Sequence, residues 1–255
     1  MTLLTNHPVI LSVVSIVLLS LAAFIGVRVA ARRSAPDNGS REDFGVILAA
    51  ALTLLGLIIG FSFSMATTRY DLRKTLEEAE ANAIGTEYLR ADLLPAADAV
   101  RVRSLLKAYT DLRLSFYRAS DYEALQEINA RTAQVQNELW AAVRGPAVAQ
   151  PTPISAVAVV GMNDVLNSQG YTQAAWWNRI PHAAWGLMIA MAVCCNFLIG
   201  YGLHNAKVER HILLILPTVV AIAFLLIADI DSPRSGVIHV APQNLQSLAD
   251  SLRSP

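Results

Sequence analysis

The chain has 255 residues, of which 54% are hydrophobic and only 16% are charged, and its formal net charge is zero. This balance excludes an ordinary soluble domain and fits a membrane protein with one modest polar region. Because positive charge is not in excess, the composition does not indicate nucleic-acid binding.

Four apolar runs predict membrane-spanning helices. Each is near or above the roughly 20 residues that a helix needs to cross a hydrocarbon core of about 30 Å. Because lipid cannot satisfy backbone polar groups, each run is predicted to be helical. Arginines follow the first run, where a signal peptide would have a small-residue cleavage site, so we interpret this run as a retained span. The runs are His7–Val27, Phe44–Ala66, Ile180–Leu203 and Ile212–Ile230.

The second span is predicted to continue well beyond the membrane. Residues 34–43 before it are hydrophilic and rich in turn formers, which predicts a short loop. After the span, the chain runs without Gly or Pro from Thr67 until Gly85. A single helix is therefore predicted to extend to about Leu94, where Pro95 stops it.

Three further amphipathic helices are predicted in the middle of the chain. Apolar residues recur at helical spacing over 102–116, which indicates one buried stripe. Ser120 and Glu123 form a capping-box pattern that predicts the start of the next helix. The last helix is predicted at about 154–170. The residues that predict a linker before it are Gly145, Pro146, Pro151 and Pro153.

The predicted architecture is an all-α integral membrane protein with four transmembrane helices and a helical bundle inserted between the second and third. Charges in the middle alternate in sign, Arg73 with Glu77 and Lys74 with Glu78, as is typical of a solvated helix face. The predicted parts are a first transmembrane pair at 1–66, an extramembrane bundle at 67–178, a second transmembrane pair at 179–231 and a C-terminal tail at 232–255.

Features near the third and fourth spans carry separate expectations. Trp176 and Trp177 precede the third span, as expected of an aromatic anchor at the membrane interface. Pro217 predicts a kink in the fourth span. The tail is predicted to contain a short extended piece at 237–240 and a small amphipathic helix at 243–252.

The second span has two contrasting sides. One carries small residues, including Gly56 and Gly60 in a small-xxx-small pattern that allows another helix to approach closely. The opposite side carries an apolar stripe, which would form a narrow constriction if several copies surrounded an axis, and such constrictions gate by dewetting. The alternative is that the stripe faces lipid or a neighbouring helix. The stripe consists of Leu54, Ile58, Phe61 and Met65.

Hydroxyl groups followed by cations lie where the second span ends, and this order suits an anion pathway. The alternative is that the hydroxyls bond to helix carbonyls and the cations face phospholipid. The candidate residues are Ser62, Ser64, Thr67, Thr68, Arg69 and Arg73.

Asp229 and Asp231 end the fourth span, where they either form a turn or offer a weak cation site. No other pattern indicates metal binding, a cofactor or catalysis. No catalytic residue, metal ligand or cofactor is therefore predicted.

Two stretches of the sequence resemble the bestrophin-like domain family. The first begins at Phe61–Ala66, leads into Arg69–Arg73 and continues through Glu80–Pro95. The second is the closing signature Asp229–Gly236. The family name rests on a more distant similarity to bestrophins, which are pentameric anion channels.

The resemblance implies a bestrophin-like oligomeric ion channel, permeable to anions of the chloride or bicarbonate class. The second span would line the pore, with the apolar stripe as its neck. The implied partners are membrane lipid, small anions and further copies of the chain in a homo-oligomer, a pentamer, without nucleic acid. The implied location is the inner (plasma) membrane of a bacterium, and no enzymatic activity is implied.

Two questions stay open at the level of sequence. The alternative function is a poreless membrane sensor or scaffold, whose helical bundle binds a ligand or partner. Lys and Arg are nearly balanced between the two sides of the membrane, so the orientation is also open. The resemblance favours a cytosolic bundle.

Overall fold

The computed structural model describes residues 7–32, 38–203 and 211–253. Throughout these ranges the regular structure is helical, and no strand occurs in them. The eight α-helices of the described ranges are α1 (Pro8–Ala30), α2 (Asn38–Arg90), α3 (Ala96–Arg118), α4 (Tyr122–Ala149), α5 (Pro153–Trp177), α6 (His182–Gly202), α7 (Ile215–Asp231) and α8 (Gln243–Arg253), with short 3₁₀ turns at Ala91–Leu93 and Ile212–Leu214.

Four helical stretches are long and apolar enough to cross a membrane, which confirms the predicted number of spans. They are Pro8–Ala30, Glu42–Leu93, Pro153–Gly202 and Ile212–Asp231. The second contains most of α2, which ends at Arg90 and passes into a 3₁₀ turn just before Pro95. The prediction of one long helix that leaves the second apolar run is therefore confirmed.

The chain divides into two compact units. The first comprises residues 1–69 and 179–239, and the second comprises 70–178 and 240–255. In the first unit, α1 packs against α6 and α7. The contact between α1 and α6 is very close: a Cβ atom at Gly200 would overlap the carbonyl oxygen of Ala23, and one at Gly26 would overlap that of Phe197. Small residues thus let these two backbones approach closely.

The second unit has its own apolar core. α3 packs against α4, α4 against α5, and α8 against α3. Leu106, Leu139 and Met162 are buried in this core. Phe116 lies 5.0 Å from the ring centre of Trp176, in an edge-on arrangement that aromatic pairs favour.

Several local predictions at helix ends are wrong. The N-cap of α4 is Asp121, whose side chain accepts a hydrogen bond from the backbone N–H of Ala124, so the predicted capping box at Ser120 is displaced by one residue. α4 also continues through Pro146 to Ala149, because one proline near the end of a helix removes only one backbone hydrogen bond. The linker is therefore limited to residues 150–152.

The predictions for the segments around the spans also need correction. Trp176 is buried in the second unit and is not an interface anchor, whereas Trp177 is exposed. Pro217 lies in the first turn of α7, where its missing N–H would have no helical partner, so it does not kink the helix. Residues 237–240 belong to no strand or helix, so the extended piece predicted there stays a prediction, while the predicted helix of the tail is confirmed as α8. Residues 38–43 of the predicted loop belong to α2, and residues 34–37 lie outside the described residues.

Candidate functional site

The apolar half of α2 is the least covered of the four apolar stretches. In its most apolar stretch of 18 residues, only 6% of the residues are buried, against 33% to 44% in the corresponding stretches of the other three. From residue 42 to residue 66, the buried side chains are Leu55, Ser62 and Ala66. Their spacing of seven and four residues places them on one line of the helix. A single chain thus covers one narrow seam of α2 and leaves most of its circumference exposed.

The predicted neck stripe lies about a quarter turn from this seam, since successive residues of an α-helix are about 100° apart. Leu54, Phe61 and Met65 are exposed, and Ile58 is half-buried. The structure brings the four side chains onto one face of α2. Their role as a pore neck stays a prediction.

The small-residue side of α2 is also bare. Apart from the adjacent backbone of α2 itself, a Cβ atom at Gly45, Gly56 or Gly60 would have no atom of the described chain within 4 Å. The close helix approach that Gly56 and Gly60 predict is therefore not made by the described residues of a single chain. In one chain, the close approach between helices occurs at Gly26 and Gly200 instead.

The hydroxyls of the predicted anion pathway do not form one set. Thr67 Oγ1 donates to the carbonyl oxygen of Phe63 at 3.0 Å, and Thr68 Oγ1 donates to that of Ser64 at 2.9 Å. Ser62 is buried in the seam, whereas Ser64 is exposed. The two threonines therefore adopt the back-bonded arrangement that was the structural alternative to an anion pathway.

Arg69 is held by an acid at the end of α7. Its Nη1 lies 3.8 Å from Asp231, which also lies 3.7 Å from Arg179 Nε. Both oxygens of Asp231 accept the backbone N–H of Ile180 at 3.1 Å. Asp231 is thus a buried anchor for two arginines and a backbone segment. The sequence signal was an acid at the end of an apolar run, where a carboxylate is costly without partners.

Asp229 has a separate anchoring role. Its two carboxylate oxygens accept the backbone N–H groups of Val237 and Ile238 at 2.9 and 2.8 Å. It therefore fixes the segment that follows α7. In the described part of the chain, no group of three His, Cys, Asp or Glu side chains is arranged to hold a metal ion.

Beyond the apolar half, α2 buries a row of charges. Arg73, Glu77, Glu80 and Glu87 are all almost fully buried, at spacings of four, three and seven residues. The interpretation of Arg73 and Glu77 as part of a solvated face was wrong. This half of α2 therefore buries charged side chains, whereas the apolar side chain of Leu72 on another side of the helix is exposed.

Glu80 forms the central ion pair of this row. It accepts hydrogen bonds from Arg113 on α3 and, at 3.2 Å, from Thr172 on α5. Neither Glu80 nor Arg113 is exposed to solvent. The Arg113 guanidinium also lies 4.4 Å from the ring centre of Phe116. Burial by itself lowers the pKa of Arg113, but the adjacent Glu80 carboxylate raises it overall, so the guanidinium stays charged.

Glu77 holds the C-terminal helix. Its carboxylate accepts the backbone N–H of Leu245 at 2.8 Å and the side-chain amide of Asn244 at 2.7 Å. Both donors lie in the first turn of α8. A carboxylate at this position satisfies one otherwise unpaired backbone N–H group, that of Leu245, and interacts favourably with the positive end of the helix dipole.

Comparison with known proteins places these features in a family. The model of the bestrophin-like domain matches residues 13–245. A crystal structure of a bacterial bestrophin homolog from Klebsiella pneumoniae, solved by Zn-SAD phasing, is similar with a TM-score of 0.64 and 13% identity, covering 94% of this chain and 95% of that one. Crystal structures of two variants of that homolog have TM-scores of 0.65 and 0.61 and identities of 14% and 15%, each covering 94% of this chain and 95% and 96% of theirs. A search of curated proteins found no match.

The fold and the four apolar helical stretches define an all-helical integral membrane protein. The family match extends over nearly the whole chain. The chain belongs to the bestrophin-like domain family.

Proposed function

We propose that this protein is a bestrophin-like ion channel, permeable to anions of the chloride or bicarbonate class. In this proposal it assembles as a homo-oligomer, a pentamer, with the apolar half of α2 lining the pore. The observation that supports it most strongly is how little of that half one chain covers, since Leu55, Ser62 and Ala66 are its buried side chains from residue 42 to residue 66.

Two bare faces of different chemistry suit two different neighbours. The face with Gly45, Gly56 and Gly60 is open and would let a helix of the next subunit approach closely. The apolar stripe of Leu54 and Phe61, on another side, would then face the axis. Repetition of one such contact around an axis closes a ring. A ring of apolar side chains forms a constriction that can gate by dewetting.

The proposed anion pathway beyond the neck contains Ser62, Ser64, Thr67, Thr68, Arg69 and Arg73. In it, Arg69 and Arg179 share the single carboxylate of Asp231, so this group of three keeps one net positive charge. That charge contributes more than the hydroxyls of Thr67 and Thr68. Those two hydroxyls already donate to helix carbonyls and so offer an anion no free proton. Arg73 is buried and acts through its field alone.

The proposed topology inserts an extramembrane helical bundle, residues 67–178, between the second and third spans. The bundle lies in the cytosol, and the protein lies in the inner (plasma) membrane of a bacterium, surrounded by lipid. The fold similarity to bacterial bestrophin homologs supports this arrangement.

The first test is the native mass of the complex in mild detergent. A discrete assembly of five 27.6 kDa chains supports the ring. A monomer or dimer that persists in several detergents contradicts it, and would favour the poreless sensor or scaffold.

The second test separates the two faces of α2 with one type of substitution. Phe61 is 63% exposed on the stripe, and Phe63 is 44% exposed on a different side of the helix. Because alanine removes an apolar ring from the constriction, Phe61→Ala is expected to raise anion flux into liposomes several-fold. Phe63→Ala is the matched control. Because Phe63 lies on the side of Gly45 and Gly56, the flux is normalised to the amount of assembled complex, and it should then stay near the wild-type value. Ile58→Ala should also raise the flux, since Ile58 lies on the same stripe.

Equal flux in Phe61→Ala, Ile58→Ala and the wild type would refute the neck assignment. An equal increase in Phe61→Ala and Phe63→Ala would point to general loosening of the helix. Flux of cations instead of anions would refute the proposed selectivity and leave the pore in place.

A further inference from the structure

Glu87 differs from the other buried acids of α2. Glu77 and Glu80 each accept hydrogen bonds from two groups. Glu87 is also fully buried, yet neither of its carboxyl oxygens has a hydrogen-bond partner in the described chain. A buried ionised carboxylate without such partners is strongly unfavourable, so this group is expected to carry a proton.

The surroundings of Glu87 are specific. α5 lies against it at Gly161, where a Cβ atom would overlap both Glu87 Oε2 and Arg90 Nη1. Only glycine at position 161 leaves room for the carboxyl and the guanidinium together. The charged groups that face Glu87 are Arg90, one turn later on α2, and Asp164, one turn after Gly161 on α5.

Burial outweighs the neighbouring charges in setting the pKa of Glu87. Burial raises the pKa of Glu87 from 4.5 to about 8, Asp164 adds to the increase, and Arg90 opposes it. In this structure the carboxyl is therefore neutral at neutral pH and ionises under mildly alkaline conditions. Ionisation would place a second negative charge beside Asp164 in a site that offers no hydrogen bonds.

We propose that Glu87 is a proton-operated switch of the packing between α2 and α5. With the proton bound, the carboxyl fits against Gly161 and the two helices pack closely. When the proton is lost, the need of the buried carboxylate for hydration, with a smaller contribution from repulsion by Asp164, outweighs the attraction by Arg90. Glu87 then moves outwards together with Arg90, and α5 loosens. The device lies in the second unit and does not depend on whether the protein conducts ions.

The direction of the pH effect follows from the raised pKa. Because Glu87 binds its proton more tightly in the folded than in the unfolded chain, its contribution to stability is complete below about pH 4.5. That contribution is lost as the pH rises to about 8, and no further loss from Glu87 is expected above it.

The test compares melting temperature with pH for the wild type, Glu87→Gln and Glu78→Gln. Glu87→Gln keeps the shape of the side chain and is always neutral, so its melting temperature should fall less than that of the wild type between pH 5 and pH 8. Glu78 is an exposed acid on the same helix, and Glu78→Gln should retain the wild-type pH dependence. Identical pH dependence of Glu87→Gln and the wild type would overturn the proposal.

A second measurement needs no variant. Infrared difference spectroscopy of the wild-type protein in detergent should detect a protonated carboxyl group at pH 6.5 that disappears by pH 9.5. Hydrogen exchange of residues 157–168, corrected for the intrinsic pH dependence of exchange, should become faster over the same interval. A spectrum without a protonated carboxyl at pH 6.5, or α5 exchange that does not change, would overturn the switch.

Discussion

Removing one partner of the buried Glu80–Arg113 pair should destabilise the second unit strongly. In Arg113→Met the side chain keeps much of its volume, but the Glu80 carboxylate stays buried, with Thr172 as its remaining hydrogen-bond donor among the described residues. Breaking a buried pair from one side costs about 3–5 kcal/mol, because an uncompensated charge remains. Loss of the guanidinium contact with Phe116 adds about 1 kcal/mol. Total stabilities are about 5–15 kcal/mol, so such a loss would be easy to detect.

The double variant Glu80→Leu/Arg113→Met tests the electrostatic origin of this loss. Replacing a whole buried pair with apolar side chains is often nearly neutral. We therefore expect the free energy of unfolding of the double variant to lie within about 2 kcal/mol of the wild-type value and well above that of Arg113→Met. The assay is denaturant unfolding in detergent, followed by tryptophan fluorescence.

An exposed pair provides the matched control. Arg253 lies 2.5 Å from Asp111, and both side chains are more than half exposed. Arg253→Met should therefore cost no more than about 1 kcal/mol. Equal losses of unfolding free energy in Arg113→Met and Arg253→Met would refute the reasoning from burial. So would a loss in the double variant equal to the sum of the losses in Glu80→Leu and Arg113→Met measured separately.

Two further predictions concern contacts within each unit. Gly200→Ala should lower the melting temperature and cost about 1–3 kcal/mol, because its Cβ would overlap the carbonyl oxygen of Ala23, whereas Gly186→Ala has open space and should be neutral or slightly stabilising. Equal melting temperatures of the two variants would contradict the close helix contact. Glu77→Ala should release the start of α8, because it removes the acceptor for the N–H of Leu245, and limited proteolysis should then cut the C-terminal helix several-fold faster. Unchanged cleavage would show that apolar packing alone holds α8.

The long helix and the helices of the bundle could be predicted because their signals are local. The chain after Thr67 contains no Gly or Pro until Gly85, and Pro95 predicted that the helix stops near Leu94. The observed end of α2 at Arg90 lies close to this position. Apolar periodicity over 102–116 likewise falls within α3. Such patterns depend on neighbours three or four residues away, which one sequence contains.

The partners of the small and charged residues could not be predicted in the same way. Gly56 and Gly60 have the more obvious pattern for helix contact, yet within one chain it is Gly26 and Gly200 that meet another backbone. The charge pattern of Arg73 and Glu77 was interpreted as a solvated face, and only a partner distant in sequence, such as Leu245, shows that Glu77 is buried. Distinguishing these cases requires knowledge of which helices become neighbours.

The unbroken length of α2 has a consequence for how this family can vary. Glu77, Glu80 and Glu87 lie on the same side of this helix, because their spacings of three and seven residues keep them within about 80° of one another. One residue inserted between Glu80 and Glu87 would turn everything after it by about 100° and carry the Glu87 carboxyl away from Gly161, while Glu77 and Glu80 kept their partners. Relatives are therefore expected to keep the length of α2 between these acids unchanged.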